Sequence, residues 1–235
     1  MATILCDLDG TLLRKRDLPG ADRPTAKRRA INQALAEAFH LPDVDFRQGM
    51  VDGLTDWRIA EGAVQAWRPE AVIDGPAWQR ICARAEALFT PFQPGDEPRY
   101  ARLPGIPRTL QALRDAGHRL GIVTGNVSFF AVDKLVHAGI DRALFDGPCG
   151  FGDHGRERHQ IVRLAAARAG ADAVLVVLGD TVHDLEGAQA VGLPFLGVGT
   201  SGLCAADLGE ASGAGWIANL ADADAALEAI AALTA

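Results

Sequence analysis

Lysine is nearly missing from this sequence. Of its 23 basic residues only Lys15, Lys27 and Lys134 are lysines, so most of the positive charge is arginine. Acidic residues number 30, leaving a formal charge of -7. A chain of that sign lacks the basic face that nucleic-acid backbones require, so no nucleic-acid partner is expected. Long hydrophobic runs are also lacking. A run such as Ala173-Val174-Leu175-Val176-Val177-Leu178 is far short of the ~20 residues of a bilayer span, so no membrane partner is expected either. Cysteine is sparse and scattered, at Cys6, Cys82, Cys149 and Cys204, with no Cys-x-x-Cys pair. With no secretory leader ahead of the first apolar run, these read as reduced thiols in a cytoplasmic protein. No internal repeat is visible. The 235 residues suffice for a real core, as one large domain or one domain with an insertion.

What is present begins at once. Thr3-Ile4-Leu5-Cys6-Asp7-Leu8-Asp9-Gly10-Thr11 is an apolar run of strand length that ends in two carboxylates one residue apart, followed by a Gly-Thr break. In an open α/β sheet, ligands bind at that carboxyl edge. Two ionised acids ~4 Å apart repel by about 4 kcal/mol at an effective dielectric near 20, so the pair calls for a metal, a proton or both.

From residue 14 the pattern changes. Arg14-Lys15-Arg16-Asp17-Leu18-Pro19-Gly20 is polar and broken, and up to about residue 99 the period is helical. Helices are expected over residues 26–39 (Ile31, Leu35, Phe39 on one face), 54–67 (Ile59, Ala63, Trp67) and 76–89 (Ile81, Ala85, Phe89). Thr90-Pro91-Phe92-Gln93-Pro94-Gly95-Asp96-Glu97-Pro98 reads as a second linker. Beyond it strands and helices alternate, as in a parallel sheet with crossover helices.

The strand at residues 119–123 delivers Thr124-Gly125-Asn126 to the start of a helix over 127–138, a hydroxyl and backbone N–H groups suited to an anion. Residues 145–151 read as an edge strand and loop. The strand at 174–178 delivers Gly179-Asp180-Thr181-Val182-His183-Asp184. Two acids at a strand end are costly unless a cation lies between them and the first pair. Strands at 194–198 and 216–217 and a closing helix over 221–233 complete the chain. Gly197-Val198-Gly199-Thr200-Ser201-Gly202 formally matches a dinucleotide fingerprint, with Asp222 further on. No amphipathic helix opens at Gly202, so it reads as a loop beside the site. Cys149, His154 and His159 are too widely spaced to read as a zinc site.

Asp7-Leu8-Asp9-Gly10-Thr11, Thr124-Gly125-Asn126, an arginine near residue 158 and Gly179-Asp180…Asp184, in that order, resemble the four motifs of the haloacid dehalogenase (HAD) superfamily. Gly53-Leu54-Thr55-Asp56 resembles the Gly-x-Thr-Asp segment of its phosphoglycolate-phosphatase-like subgroup. The resemblance implies an α/β fold: a Rossmann-like parallel-sheet core, residues 1–14 and 100–235, with an inserted α-helical cap, residues 15–99. It implies a Mg2+-dependent hydrolase of a small-molecule phosphate ester, monomeric or homodimeric. Asp7 would be the nucleophile and Asp9 the general acid and base. Thr124 would bind the phosphoryl group, with Gly10, Gly125 and Asn126 around it. Asp7, Asp9 (through its backbone carbonyl), Asp180 and Asp184 would hold the metal.

Where the family commonly has Lys-Pro as third motif, no lysine occurs. Arg158-His159-Gln160-Ile161-Val162 fits the arginine variant better than Arg156 does, and both stay open. Thr55 and Asp56 either face substrate or cap the helix after them. Retention of Asp9 favours transfer to water or to a sugar hydroxyl, as in β-phosphoglucomutase-like members, over dehalogenation. A phosphonatase would need a cap lysine, and Lys15 and Lys27 lie near that position. A silent binding protein with the same fold is the alternative of a different class.

Overall fold

The computed structural model describes residues 1–16, 25–51, 53–93, 96–208 and 213–235. The chain runs β1 (Thr3–Cys6), β2 (Leu13–Lys15), α1 (Ala26–Phe39), α2 (Asp56–Gln65), α3 (Gly75–Leu88) and β3 (Tyr100–Arg102). It continues through α4 (Ile106–Asp115), β4 (Arg119–Ile122), α5 (Ser128–Ala138), α6 (Arg158–Ala169), β5 (Leu175–Gly179) and α7 (Val182–Gln189). Last come β6 (Phe195–Val198), β7 (Ala214–Ile217) and α8 (Ala223–Leu233). Short 3-10 turns lie at Phe46–Gly49, Arg142–Leu144 and Ala205–Leu208.

Five strands form one parallel sheet in the order β4-β1-β5-β6-β7. Helices cover both faces, as the alternation of apolar side chains demands: Ile4 and Cys6 of β1 pack on the side of α4, α5 and α8, while Leu5 packs with Ile161, Val162 and Leu185 of α6 and α7. The chain leaves β1 for β4 on one side and later reaches β5 on the other. Such a reversal opens a crevice at the strands' carboxyl ends. Cys6 pairs with Leu178, so the residues following β1 and β5 emerge side by side there.

The helical insertion matches the sequence pattern closely. Thr25, Thr55 and Asp74 cap α1, α2 and α3, their side chains accepting N–H groups of the first turns. The buried faces carry Ile31 and Leu35, Ile59 and Ala63, and Ile81 and Ala85. Trp67 departs from expectation: α2 ends at Gln65, two residues earlier, so Trp67 leaves the apolar face and is 49% exposed. In its place Trp57 stacks on Trp78 with ring centroids 5.6 Å apart.

Two further departures concern strands. β2 and β3 form an antiparallel ribbon, Leu13 opposite Arg102 and Lys15 opposite Tyr100, where the chain enters and leaves the helical insertion. The expected edge strand at 145–151 is instead an irregular segment, joined to the sheet by an isolated bridge, Val123 to Gly150, and by the Gly147 N–H donating to the Leu120 carbonyl at 2.7 Å. Gly147 and Gly150 are the reason. A Cβ on either would lie 2.7 or 2.5 Å from the carbonyl oxygen of Leu120 in β4 or Ile161 in α6, so the segment lies too close to both for regular side-chain alternation. The linker residues Asp17-Leu18-Pro19-Gly20 and Pro94-Gly95 lie outside the described residues. Among the described residues no helix is long and apolar enough to cross a membrane.

Candidate active site

Asp7 follows β1, Thr124 lies just beyond β4, and Asp180 follows β5, so three adjacent strand ends supply one buried cluster. Asp184 joins from the first turn of α7, held by a reciprocal cap: its Oδ2 accepts from the backbone N and the hydroxyl of Thr181, at 3.2 and 2.6 Å. Carboxylate oxygens of Asp7, Asp180 and Asp184 all lie within 4.8 Å of one another. At that spacing each ionised pair repels by about 3–4 kcal/mol in an effective dielectric near 20.

Arg158 offsets part of this charge. Its Nη1 donates to Asp7 Oδ1 at 3.1 Å, its Nε lies 3.4 Å from Asp184 Oδ1, and its Nη2 donates to the carbonyl of Gly53 at 3.2 Å. One guanidinium cannot balance three carboxylates. Burial, with Asp184 beside it, therefore pushes Asp7 well above the ordinary carboxylate range despite Arg158. Burial likewise pushes Asp180 up to about 6, against hydrogen bonds from Ser201 and Thr11. Three buried hard-oxygen donors with a residual negative charge of about two fit a small divalent cation such as magnesium.

Gly10 lets this cluster close. Its φ is +77°, and a Cβ there would lie 2.0 Å from Asp180 Oδ2.

Asp9 behaves differently from the cluster. Its carboxylate turns toward Lys134, whose ammonium donates to Oδ2, and toward Asn126, whose Nδ2 donates to the same oxygen at 2.7 Å. Burial would raise Asp9, but Lys134 and Asn126 outweigh it and hold the group below its usual value. Asn126 also donates to Thr124 Oγ1, at 3.0 Å from Nδ2 and 3.4 Å from the backbone N. The Thr124 hydroxyl hydrogen thus has no acceptor among the described residues. Neither do the backbone N–H groups of Leu8, Asp9 and Gly125.

Arg156, the other arginine, points elsewhere. It pairs with Glu61 of α2, which also binds Arg58 at 3.1 Å. Thr55 caps α2 and donates its hydroxyl to the Arg156 carbonyl at 2.6 Å. Asp56 clamps the loop at 125–127. Its backbone N donates to Gly125 O at 2.7 Å and its Oδ2 accepts from Val127 N at 2.8 Å, while its Oδ1 takes Lys27 at 2.7 Å. On the far side Trp78 donates to the Gly152 carbonyl at 2.9 Å.

Above Asp7 and Asp9 a cavity of about 480 Å³ opens beneath α1 and α2, walled by Phe46, Leu54, Ile59, Tyr100 and Phe130. Arg14, Lys15, Arg28 and Arg47 also line it, giving the cavity a cationic character.

The profile of the haloacid dehalogenase-like hydrolases matches residues 4–189. The chain belongs to this family. The five-stranded parallel sheet flanked by helices agrees with that membership. A phosphoglycolate phosphatase from Agrobacterium fabrum (strain C58 / ATCC 33970) is 30% identical over 132 residues, 55% of this chain and 53% of that protein. The chain thus matches about half the length of that relative. A hydrolase from Pseudomonas syringae has the same fold, with TM-score 0.60 and 18% identity over 97% of this chain and 98% of that one. So does CbbY from Rhodobacter sphaeroides, solved with phosphate, with TM-score 0.54 and 22% identity over 94% and 95%.

Lys134 escaped the sequence reading altogether, and Lys27 entered it only beside the cap lysine that a phosphonatase would need. Lys27 and Lys134 both line the cavity and both donate to Asn126 Oδ1, at 3.1 and 2.9 Å. A signal existed for Lys134. In Ser-Phe-Phe-Ala-Val-Asp-Lys-Leu-Val-His-Ala it interrupts an apolar stretch, and Asn126, Phe130 and Lys134 recur every four residues. A cation on a buried helix face needs an anionic partner.

Proposed function

We propose that this enzyme is a magnesium-dependent phosphomonoester hydrolase that works through an aspartyl-phosphate on Asp7, on small polar metabolites of the phosphoglycolate-phosphatase kind. The observation that carries this reading is the convergence of Asp7 from the end of β1 with Asp180 from the end of β5 and Asp184 from α7, with Arg158 against Asp7. Asp7 and Asp180, supported by Asp184 and with the Asp9 backbone carbonyl, would hold the cation. When bound, magnesium would offset the carboxylate repulsion and the charge of a phosphate dianion.

The chain's own groups account for the rest. Arg158 takes Asp7 Oδ1 and leaves Oδ2 without a protein donor among the described residues, so Oδ2 attacks phosphorus. The P–O bond to the leaving alcohol breaks as the new Asp7 Oδ2–P bond forms, and Asp9, ionised in the free enzyme and taking up a solvent proton as the anionic ester binds beside it, gives that proton to the departing oxygen. In the second step Asp9 takes a proton from water as the water oxygen attacks phosphorus. Phosphate leaves and the Asp7 carboxylate is restored. The Thr124 hydroxyl and the N–H groups of Leu8, Asp9 and Gly125, none of which has a protein acceptor among the described residues, bind the equatorial oxygens.

The helical insertion serves as a cap, with Thr55 and Asp56 seating it on the sheet edge and the cationic cavity admitting an anionic ester. The unpaired cysteines suit a reducing cytoplasm. Hydrolysis of p-nitrophenyl phosphate with magnesium and with EDTA tests the proposal: turnover is expected only with the cation. A binding protein without catalysis would show none in either.

A further inference from the structure

Asn126 sits between two ammonium groups, and they come from different layers of the molecule. Lys134 belongs to α5 on the sheet side, whereas Lys27 belongs to α1 of the helical insertion, 99 residues before Asn126 in the chain. Each lysine also binds one carboxylate, Lys134 to Asp9 and Lys27 to Asp56. Both are nearly fully buried, 5% and 8% exposed. Both lie over the Phe130 ring, at 4.8 and 4.3 Å from its centroid.

An amide flip of Asn126 would place its NH2 against two cations and its oxygen against the Asp9 carboxylate. Two donors on the two lone pairs of Oδ1 forbid that flip, and the amide nitrogen is thereby committed to Asp9 Oδ2 and Thr124 Oγ1. Lys27 and Asp56 act on the same loop together: Asp56 grips the backbone on both sides of residue 126 while Lys27 holds its side chain. A half-buried amide oxygen that loses one of two charged donors forfeits that bond and gains freedom to turn.

We propose that Lys27 is a positioning residue for the reaction: through Asn126 it aims the Asp9 carboxyl, so that the helical insertion sets the geometry of proton transfer when it is seated. This rests on the phosphatase reading, in which Asp9 carries the proton. Lys27 does not touch the phosphoryl group in this scheme, and its removal should spare substrate binding.

Lys27→Met is the first variant. Because it strands Asp56 in a buried site, the paired variant Lys27→Met/Asp56→Asn is made beside it to keep the fold. Both are assayed with magnesium on p-nitrophenyl phosphate, whose leaving group needs little protonation, and on an alkyl phosphate, whose leaving group needs it fully.

The inference expects kcat on the alkyl ester to fall on the order of 10–100-fold, KM to change by less than about threefold, and the aryl ester to be affected much less. Asn126→Leu should produce the same pattern, and combining it with Lys27→Met should add no further loss, since both act along one path. The inference is overturned by equal losses on the two esters, by a rise in KM with kcat intact, or by additive losses with Asn126→Leu. Asp7→Asn keeps the two levels apart. If it retains turnover, the phosphatase reading itself fails. If it is inactive while the lysine variants show none of the expected pattern, only the role of Lys27 falls.

Discussion

The buried acids after β1 and β5 make the stability of the cation-free protein depend on pH in an unusual direction. Asp180 rises from 3.8 in the unfolded chain to about 6 in the folded one, so folding favours its protonated form. Its contribution is therefore fully favourable below pH ~4 and is lost as pH rises through about 6. A shift of roughly two units corresponds to about 3 kcal/mol at neutral pH, at 1.36 kcal/mol per unit. About half of it is lost between pH 5 and pH 7.5, which for a chain of this size amounts to roughly 3–6 °C in Tm. Asp7, shifted the same way by burial and Asp184, adds to the effect, and the group titrates as a cluster. Asp9 is shifted downward, and its contribution changes only below the ordinary carboxylate pKa, outside this window.

The assay is thermal or urea unfolding in EDTA at pH 5 and pH 7.5, repeated with saturating magnesium. In EDTA, stability should fall toward pH 7.5. Magnesium should restore it at pH 7.5 and do little at pH 5, where protons already neutralise the site. Asp180→Asn should flatten the EDTA curve. A curve that is flat or rising from pH 5 to 7.5 in EDTA, with no gain from magnesium, would refute the reasoning.

Four substitutions probe single features of the site. Arg158→Ala should lower kcat/KM for p-nitrophenyl phosphate on the order of 10²–10³-fold, whereas Arg156→Ala, which breaks the Glu61 pair, should act mainly on Tm; the reverse ranking would exchange their roles. Gly10→Ala forces a Cβ onto Asp180 at a positive φ and should erase the magnesium-dependent rise in Tm. A normal magnesium response in that variant would show that the cation lies elsewhere. Thr124→Val removes a hydroxyl donor with little change in volume, and product inhibition by phosphate should weaken roughly tenfold, as for one charge-assisted hydrogen bond of ~1.5 kcal/mol. Unchanged inhibition would remove Thr124 from the phosphate site.

How far the sequence could be read depended on whether the deciding interaction was local. Asp7 and Asp180 were visible because buried parallel strands announce themselves as apolar runs, and the residues just beyond such strands are delivered to one edge. The cap Thr55 showed in the same way, just ahead of a helical period, whereas Thr25 and Asp74 were found as caps only in the structure. Arg158 was placed ahead of Arg156 by its resemblance to the arginine variant of the family's third motif, and the structure puts it against Asp7.

The ribbon of β2 and β3 was hidden. Its strands are three residues each, set in polar linkers, and their pairing spans more than 80 positions of chain. The lysine pair on Asn126 was hidden for the same reason, since only the docking of α1 on the sheet edge brings Lys27 there. Thr55 and Asp56 were legible as residues of interest, but their partners, the Arg156 carbonyl and the loop at 125–127, were not.

The most direct test of the account is to catch the phosphoryl group on the protein. Enzyme in excess over substrate is quenched with acid during a single turnover in the presence of magnesium, and its peptides are examined by mass spectrometry. The account predicts a transient phosphoryl adduct on Asp7, absent from Asp7→Asn. Turnover with no phosphorylated peptide at any quench time, or with the adduct on another residue, would contradict it.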